Sequence, residues 1–353
     1  MIKQKKKTFE FNIDSFSCKT VICCRVSPSQ KADVVTLIQE FTHGEVSLAI
    51  GDGANDVAMI QVSREEQILQ FFHIETNFQA ARVGVGISGN EGLQAANSAD
   101  FSIAQFRFLQ RLLFVHGAWN YSRVSKVLVY CFYKNITMFL IQMWFAAYNM
   151  WTGTTLFDPM VMLMYNVLFT FAQPFTLGLF DRKHSAEERM SNPKLYEFSQ
   201  KGFGYNHDVF WGWLRQAVLQ SAVLFFLPLV AMDTGVNNPS GHSEGFMELS
   251  LTIYTCVVIT VTAKATLEKD TITPLCIFLL AGSVVAWFLT LVIYSYLWKL
   301  TGWTNPVCLD AIRILMGNPS YWFCIIATPA VCIAIDVLLM SAGDIDSKFS
   351  NSQ

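Results

Sequence analysis

Residues 46–61 read VSLAIGDGANDVAMIQ. Val46–Ile50 is a short apolar run that predicts a β-strand. It passes into the turn Gly51-Asp52-Gly53-Ala54-Asn55-Asp56, and a helix is expected over Val57–Gln61. Strand, glycine turn and helix in succession point to an open α/β sheet, where ligands bind at the carboxyl ends of strands. Asp52 falls at such an end. Two carboxylates at i and i+4 on this turn suit a hard divalent cation. Mg2+ takes oxygen ligands, commonly one or two protein carboxylates together with substrate phosphate. The glycines let backbone approach a phosphate closely. Lys31 is placed to act on the same site as a point charge. The competing reading is a solvated acidic turn whose Asp or Asn caps the helix.

The sequence around this turn extends the α/β pattern. Thr20–Arg25 is β-branched and predicts another strand. Ser27–Pro28 opens a helix carrying Lys31 in its first turns, with Val34, Val35, Leu37, Ile38 and Phe41 at helical spacing. Val83–Ile87 predicts a third strand. Gly84-x-Gly86-x-x-Gly89 formally spells a dinucleotide fingerprint. It lacks the acidic residue about 20 positions on and a complete βαβ unit, so turn and packing glycines account for it better.

Near residue 126 the chain changes character. Apolar stretches recur at about 127–151, 159–180, 209–232, 246–267, 274–298 and 320–340. Each is long enough to cross ~30 Å of hydrocarbon at about 1.5 Å per residue. The whole chain is 52% hydrophobic and 15% charged, against roughly 25% charged for a soluble domain. The basic residues Lys3 to Lys7 precede no apolar run, so no signal peptide is read there. A formal charge of −2 gives no reason to expect a nucleic-acid partner. The nine Cys have no paired spacing and read as reduced thiols, mostly in apolar runs.

Connector charge sets an orientation. Arg182, Lys183, Arg189, Lys194 and Lys201 follow the second span, whereas 152–158 and 233–245 hold no Lys or Arg. The positive-inside rule then puts 181–208 and both termini in the cytosol, with Lys299 and Arg313 as exceptions. Lys264 and Lys269 are read as flanking the turn between the fourth and fifth spans. Trp151, Trp211, Trp213, Trp298 and Trp322 lie near span ends, as an interfacial belt requires.

The spans also bear on substrate class. A cation pump needs several oxygen ligands, above all carboxylates, within its spans. The first two spans hold no Asp or Glu in their interiors; Asp158 and Glu248 sit at edges, and Asp336 is deep in the last span but alone. The first span does hold Lys134, next to Asn135. A lysine near mid-membrane costs roughly 2.5–3.5 kcal/mol on insertion scales and is a functional candidate by default. Its competing readings are a side chain that snorkels to the interface and a structural pairing inside the bundle.

CCRVSPSQKADVV (23–35), GDGANDVAMIQ (51–61), VGVGISGNEGLQAANSADFSIAQFRFL (83–109) and HGAWNYSRVSK (116–126) resemble the type IV P-type ATPases, the phospholipid flippases. NEGLQAANSAD and YCFYKN (130–135) are most similar to the aminophospholipid-transporting subgroup. The resemblance implies a haloacid-dehalogenase-like phosphorylation domain, of which 1–104 is the C-terminal part. It further implies a stalk at 105–126, a six-helix transmembrane domain at 127–340 and a short cytosolic tail at 341–353. It implies that Asp52 and Asp56 hold Mg2+, and that Lys31 and Asn55 help hold an aspartyl phosphate made from ATP. It makes Lys134, Asn135 and Asn166 substrate-binding residues through YKN (133–135) and YNV (165–167). At Gln173-Pro174 the chain departs from the family, which has a second proline before Pro174.

The implied reaction is ATP-driven movement of phosphatidylserine or phosphatidylethanolamine from the outer to the cytosolic leaflet of plasma, Golgi or endosomal membranes. The implied partner is a two-span glycosylated β-subunit. No DKTG-type or DGET-type sequence occurs in the chain, so the expectation is that the chain alone neither hydrolyses ATP nor accepts phosphate. A non-catalytic truncated isoform or regulator, and a cation-transporting P-type ATPase, stand as alternatives. Val62–Gln79, 18 residues, interrupts the family spacing. It reads either as a retained in-frame intron, since Val-Ser and Phe-Gln can be encoded by intron-boundary sequences, or as a surface insertion, which loops tolerate.

Overall fold

A computed structural model of the chain describes residues 20–41, 47–61, 83–88, 93–233, 245–301 and 315–350. Val62–Gln79 and the connector holding Arg313 lie outside the described residues, as does the Lys299 side chain. The chain divides into two compact units, Met1–Leu112 and Leu113–Gln353.

In the first unit, β1 (Leu48–Gly51), β2 (Val83–Ile87) and β3 (Phe101–Ile103) form a parallel sheet in the order β1-β2-β3. Ile50 stands beside Val85, and Val85 beside Phe101. Helix α1 (Pro28–Phe41) precedes the sheet, α2 (57–61) follows β1, and α3 (Gln94–Ser98) links β2 to β3. Ala49, Ile60 and Ala95 make a small core. Gly86 explains part of the glycine-rich run. A Cβ there would lie 2.5 Å from Ala96 Cα and 2.6 Å from the Ala95 carbonyl oxygen, so only glycine lets α3 pack this closely on β2. The strand expected over Thr20–Arg25 does not form. That segment is exposed, Val21 and Ile22 included, and it ends at Arg25 in the left-handed region with φ 58°. β-Propensity without a packing partner does not make a strand. The sheet's third member is instead β3, too short for its pattern to stand out.

The second unit is helical: α4 (Ala118–Tyr148), α5 (Pro159–Met164), α6 (Ala172–Phe180), α7 (Ala186–Ser191), α8 (His207–Asp233), α9 (Phe246–Leu267), α10 (Pro274–Thr301) and α11 (Pro319–Ser350). A π-helical turn, Tyr165–Phe169, joins α5 toward α6. Among the described residues six helical stretches are long and apolar enough to cross a membrane, and they match the six apolar runs of the sequence. Local chemistry sets their ends. Asp158 accepts the Met160 N–H at 2.8 Å just ahead of Pro159, the first residue of α5. Ser185 and Glu188 form a capping box on α7. Helix α11 continues through 341–350, the stretch expected as a tail.

Helix α9 is the most enclosed, with Leu251 to Val258 buried without interruption. Its threonines return their hydroxyls to its own backbone: Thr252, Thr255 and Thr262 each donate at 2.7 Å to the carbonyl four residues earlier. Trp287 packs between Tyr254, at 4.4 Å between centroids, and Phe169, at 5.0 Å. Buried aromatic polar tips find acceptors: Tyr130 on the Val261 carbonyl at 2.9 Å, Tyr254 on that of Val161 at 3.0 Å. Outward, Phe139, Leu163, Val230, Phe278, Phe323 and Ile326 are each more than 60% exposed. Water would penalise so much apolar surface, and lipid does not. Trp151, Trp211 and Trp322 are exposed as a belt requires, but Trp213 turns inward onto Lys264.

Candidate functional site

The glycine turn at the carboxyl end of β1 brings Lys31 and Asp56 together. The Asp56 side chain folds back over the turn. Its Oδ2 accepts the backbone N–H of Asp52 at 3.3 Å and of Gly53 at 3.4 Å, and its Oδ1 takes Lys31 Nζ at 2.7 Å. A Cβ on Gly51 would collide with the Asp56 side chain, so Gly51 is what admits it. Burial pushes the Asp56 carboxyl up, but the Lys31 hydrogen bond and the backbone donors of Gly53 and Asp52 more than offset this and hold it below its ordinary value. Asp56 therefore closes the turn, as the capping reading requires of one carboxylate. Asp52 and Asn55 remain exposed on the same turn. Among the described residues no group of three or more His, Cys, Asp or Glu side chains forms a cage. The carboxylates of Asp52 and Asp56 are hard oxygen donors nonetheless. They fit Mg2+, which fills its remaining positions with water and phosphate oxygens.

In the second unit Lys134 is 4% exposed. Its Nζ donates to Thr170 twice, to the carbonyl at 3.1 Å and to Oγ1 at 2.9 Å. It stands 5.7 Å from the Tyr165 ring centroid, and Tyr165 donates its hydroxyl to the Lys134 carbonyl at 3.1 Å. The π turn makes this possible. Thr170 N–H donates to the Tyr165 carbonyl, five residues back, at 2.9 Å. The wider turn leaves carbonyls without an i+4 partner, and the Thr170 carbonyl is turned to Lys134. Gln173 stands at the position where a second proline was expected. Its Nε2 lies 3.2 Å from the Phe169 carbonyl, 2.7 Å from Thr262 Oγ1 and 2.9 Å from Ser283 Oγ, and Ser283 also bonds the Phe169 carbonyl. A π turn and a glutamine thus shape the break between α5 and α6. Of the other two expected substrate residues, Asn135 is half-buried and Asn166 is exposed on the π turn. Among the described residues no hydrogen bond joins either to Lys134. Lys134 also makes no ion pair there, so its ammonium sits in the bundle with one hydroxyl and one carbonyl.

Two ionic clusters were not legible in the sequence. Asp336 is not alone, and Lys264, in the last turn of α9, sends its side chain into the bundle rather than to the interface. Both are fully buried and paired at 2.9 Å between α9 and α11. Lys264 also donates to Gln216 Oε1 at 3.0 Å and lies over the rings of Trp213 at 4.7 Å and Tyr133 at 5.0 Å. Gln220 donates to Asp336 Oδ1 at 2.7 Å and accepts the Tyr133 hydroxyl. The signal available was one ionisable side chain of each sign in two apolar runs, a pattern that favours a pair. The second cluster joins Lys126 of α4 to Asp181 at 2.6 Å, to Asp270 at 2.5 Å and to the Glu268 carbonyl at 3.0 Å. Asp181 Oδ1 accepts the backbone N–H of Asp270 and Thr271. One lysine and one aspartate so fasten α4, the end of α6 and the α9–α10 turn.

Comparison with known proteins adds the following. A family model described as the C-terminal part of phospholipid-translocating P-type ATPases matches residues 96–344. The chain is 40% identical over 325 residues to the phospholipid-transporting ATPase tat-1 of Caenorhabditis elegans, covering 92% of this chain and 27% of that protein. It is 38% identical over 319 residues to phospholipid-transporting ATPase C887.12 of Schizosaccharomyces pombe, covering 90% and 24%. To the phospholipid-transporting ATPase DRS2 of Saccharomyces cerevisiae it is 36% identical over 322 residues, covering 91% and 22%. The chain therefore spans about a quarter of the length of these curated relatives.

Proposed function

The chain belongs to the phospholipid-translocating P-type ATPases and is an integral membrane protein, and from that premise we propose that it forms part of an ATP-driven flippase that moves aminophospholipids from the outer to the cytosolic leaflet. The carrying observation is Lys134, an ammonium buried among the spans and without a carboxylate partner among the described residues. The phosphate or carboxylate of a lipid headgroup is the anion that such a group lacks. Asn166, exposed on the adjoining π turn, offers an amide to the same headgroup, and Asn135 lies beside Lys134 on α4. The π turn is a point where α5 and α6 can shift relative to each other without unmaking a regular helix. The cation-pump reading is disfavoured because Asp336, the carboxylate deepest in the last span, already has Lys264 as its counter-charge.

At the glycine turn, Asp52 and Asp56 would hold Mg2+, which when bound offsets the negative charge of an aspartyl phosphate. Lys31, fixed by Asp56, supplies positive charge beside the phosphoryl oxygens. Asn55 presents a neutral amide to them. ATP would be the phosphate source, a two-span glycosylated β-subunit the partner, and plasma, Golgi or endosomal membranes the location, with both chain termini cytosolic. The test is transport itself. Residues 96–344 are exchanged into the C. elegans relative, and uptake of fluorescent phosphatidylserine, phosphatidylethanolamine and phosphatidylcholine is compared. ATP-dependent uptake of the first two over the third is the expected result. Equal uptake of all three, or none above background in a well-folded chimera, would overturn the proposal.

A further inference from the structure

The connector between α6 and α8 holds a feature that neither the metal turn nor Lys134 uses. A pocket of about 270 Å3 is lined by Lys183, His184, Arg189 and Lys194, with Ser122 of α4 and the ring of Phe198 completing its wall. Arg189 lies on α7 and is only 6% exposed. Its Nε is buried and makes no hydrogen bond. A buried donor without an acceptor carries its full desolvation cost, more so when charged. Burial also pushes the Arg189 guanidinium below its ordinary pKa. None of Lys183, Arg189 and Lys194 makes an ion pair among the described residues. The lining carboxylate, Glu197, is paired with Lys201, and His184 faces Glu188 at 3.6 Å. Lys183 Nζ is held 5.6 Å from the Phe198 centroid. The pocket thus gathers two lysines and a hydroxyl around a guanidinium whose Nε lacks an acceptor.

We propose that this pocket is a binding site for a phosphate group, with Arg189 as its anchoring donor and Lys183 and Lys194 as flanking charges. A planar guanidinium donates in parallel to two oxygens of a phosphate, and lysines add point charge without fixing geometry. The wall of the pocket also fits this ligand. A phosphate oxygen turned toward α4 meets Ser122, while Phe198 and Leu195 exclude water from one side. The site shares no residue with Lys134's surroundings or with the glycine turn, so it adds a ligand to the flippase reading and does not depend on it. The phosphate can come from a free anion or from the headgroup of a lipid in the adjoining leaflet, since the pocket lies between the end of one span and the start of the next.

The experiment uses the purified chain in phosphatidylcholine nanodiscs at constant ionic strength. One arm titrates inorganic phosphate by calorimetry. The second arm follows thermal unfolding in discs doped with phosphatidic acid. Phosphate binding in plain discs that Arg189→Met abolishes identifies a free-anion site. Stabilisation only in the doped discs, again lost with Arg189→Met, identifies a headgroup site. Lys194→Ala guards against a folding defect, because Lys194 is exposed. It is expected to fold normally and bind roughly tenfold more weakly, the loss of one charge-assisted contact. Arg107→Ala, which removes equal charge outside the pocket, is expected to change nothing. Arg189-independent binding, a response to phosphate no larger than to chloride, or no response in either arm overturns the proposal.

Discussion

Lys264→Met strips the Asp336 carboxylate of its ammonium partner inside the helix bundle. Both side chains are fully buried and 2.9 Å apart. After the substitution Gln220 still donates to Oδ1 at 2.7 Å, but Oδ2 has no hydrogen-bond donor. Removing one partner of a buried pair costs about 3–5 kcal/mol. With one donor left in place, a loss near the lower end, about 3 kcal/mol, is expected. Lys264→Met with Asp336→Leu removes both charges and replaces them with apolar bulk, so most of that loss returns and the double variant lies within about 1 kcal/mol of the original. Equilibrium unfolding of the four corners of the double-mutant cycle by detergent titration measures these values. The reasoning is refuted by a single variant that loses under about 1 kcal/mol, or by a double variant whose loss equals the sum of the two singles, because either result means that the pair is not coupled in the folded bundle.

Gly86→Ala forces a Cβ to 2.5 Å from Ala96 Cα. It should destabilise the first unit by about 1–3 kcal/mol as overpacking does, read by hydrogen exchange of β2 and α3. The Asp56 carboxyl is held below its ordinary value, so its contribution to stability is full above the unfolded carboxyl pKa of about 3.9 and is lost as pH falls through the lower folded value. Lys31→Met removes the leading cause of that depression and should move the acid loss to higher pH, visible in the NMR titration of the Asp56 carboxyl. The chain of 353 residues should form no acid-stable phosphoprotein with radiolabelled ATP, because it contains no DKTG-type acceptor sequence. Hydroxylamine-sensitive label on this chain would contradict that assignment.

Much of this architecture was legible in the residues. Apolar runs of span length predicted the six helices because lipid demands continuous hydrogen-bonded helix and tolerates little charge. Val46–Ile50 and the glycines after it predicted the strand and turn that Leu48–Gly51 and Asp52–Asp56 form. The Thr20–Arg25 strand failed because local propensity cannot supply a neighbouring strand. The pairing of Lys264 with Asp336 was missed for a related reason. Each was judged on its own helix, whereas their meaning lies in the contact between α9 and α11. Thr170 was invisible as the partner of Lys134 because its role comes from a π turn, a backbone irregularity with no residue signature. Arg189 was read only as one of several positive charges setting orientation. Its burial, which makes it a candidate ligand, depends on how the connector folds over α4.

The account turns on Lys134 meeting the lipid. The direct measurement splits two steps of one cycle in the chimera carrying residues 96–344: formation of the phosphoenzyme from ATP, and its breakdown on adding phosphatidylserine. Lys134→Ala is expected to leave phosphoenzyme formation close to the parent level and to weaken the lipid-stimulated breakdown at least tenfold, the order expected for losing a charge-assisted contact. An unchanged lipid concentration dependence and maximal breakdown rate in Lys134→Ala would contradict the account, and would leave Lys134 as a lysine that serves only to hold Thr170.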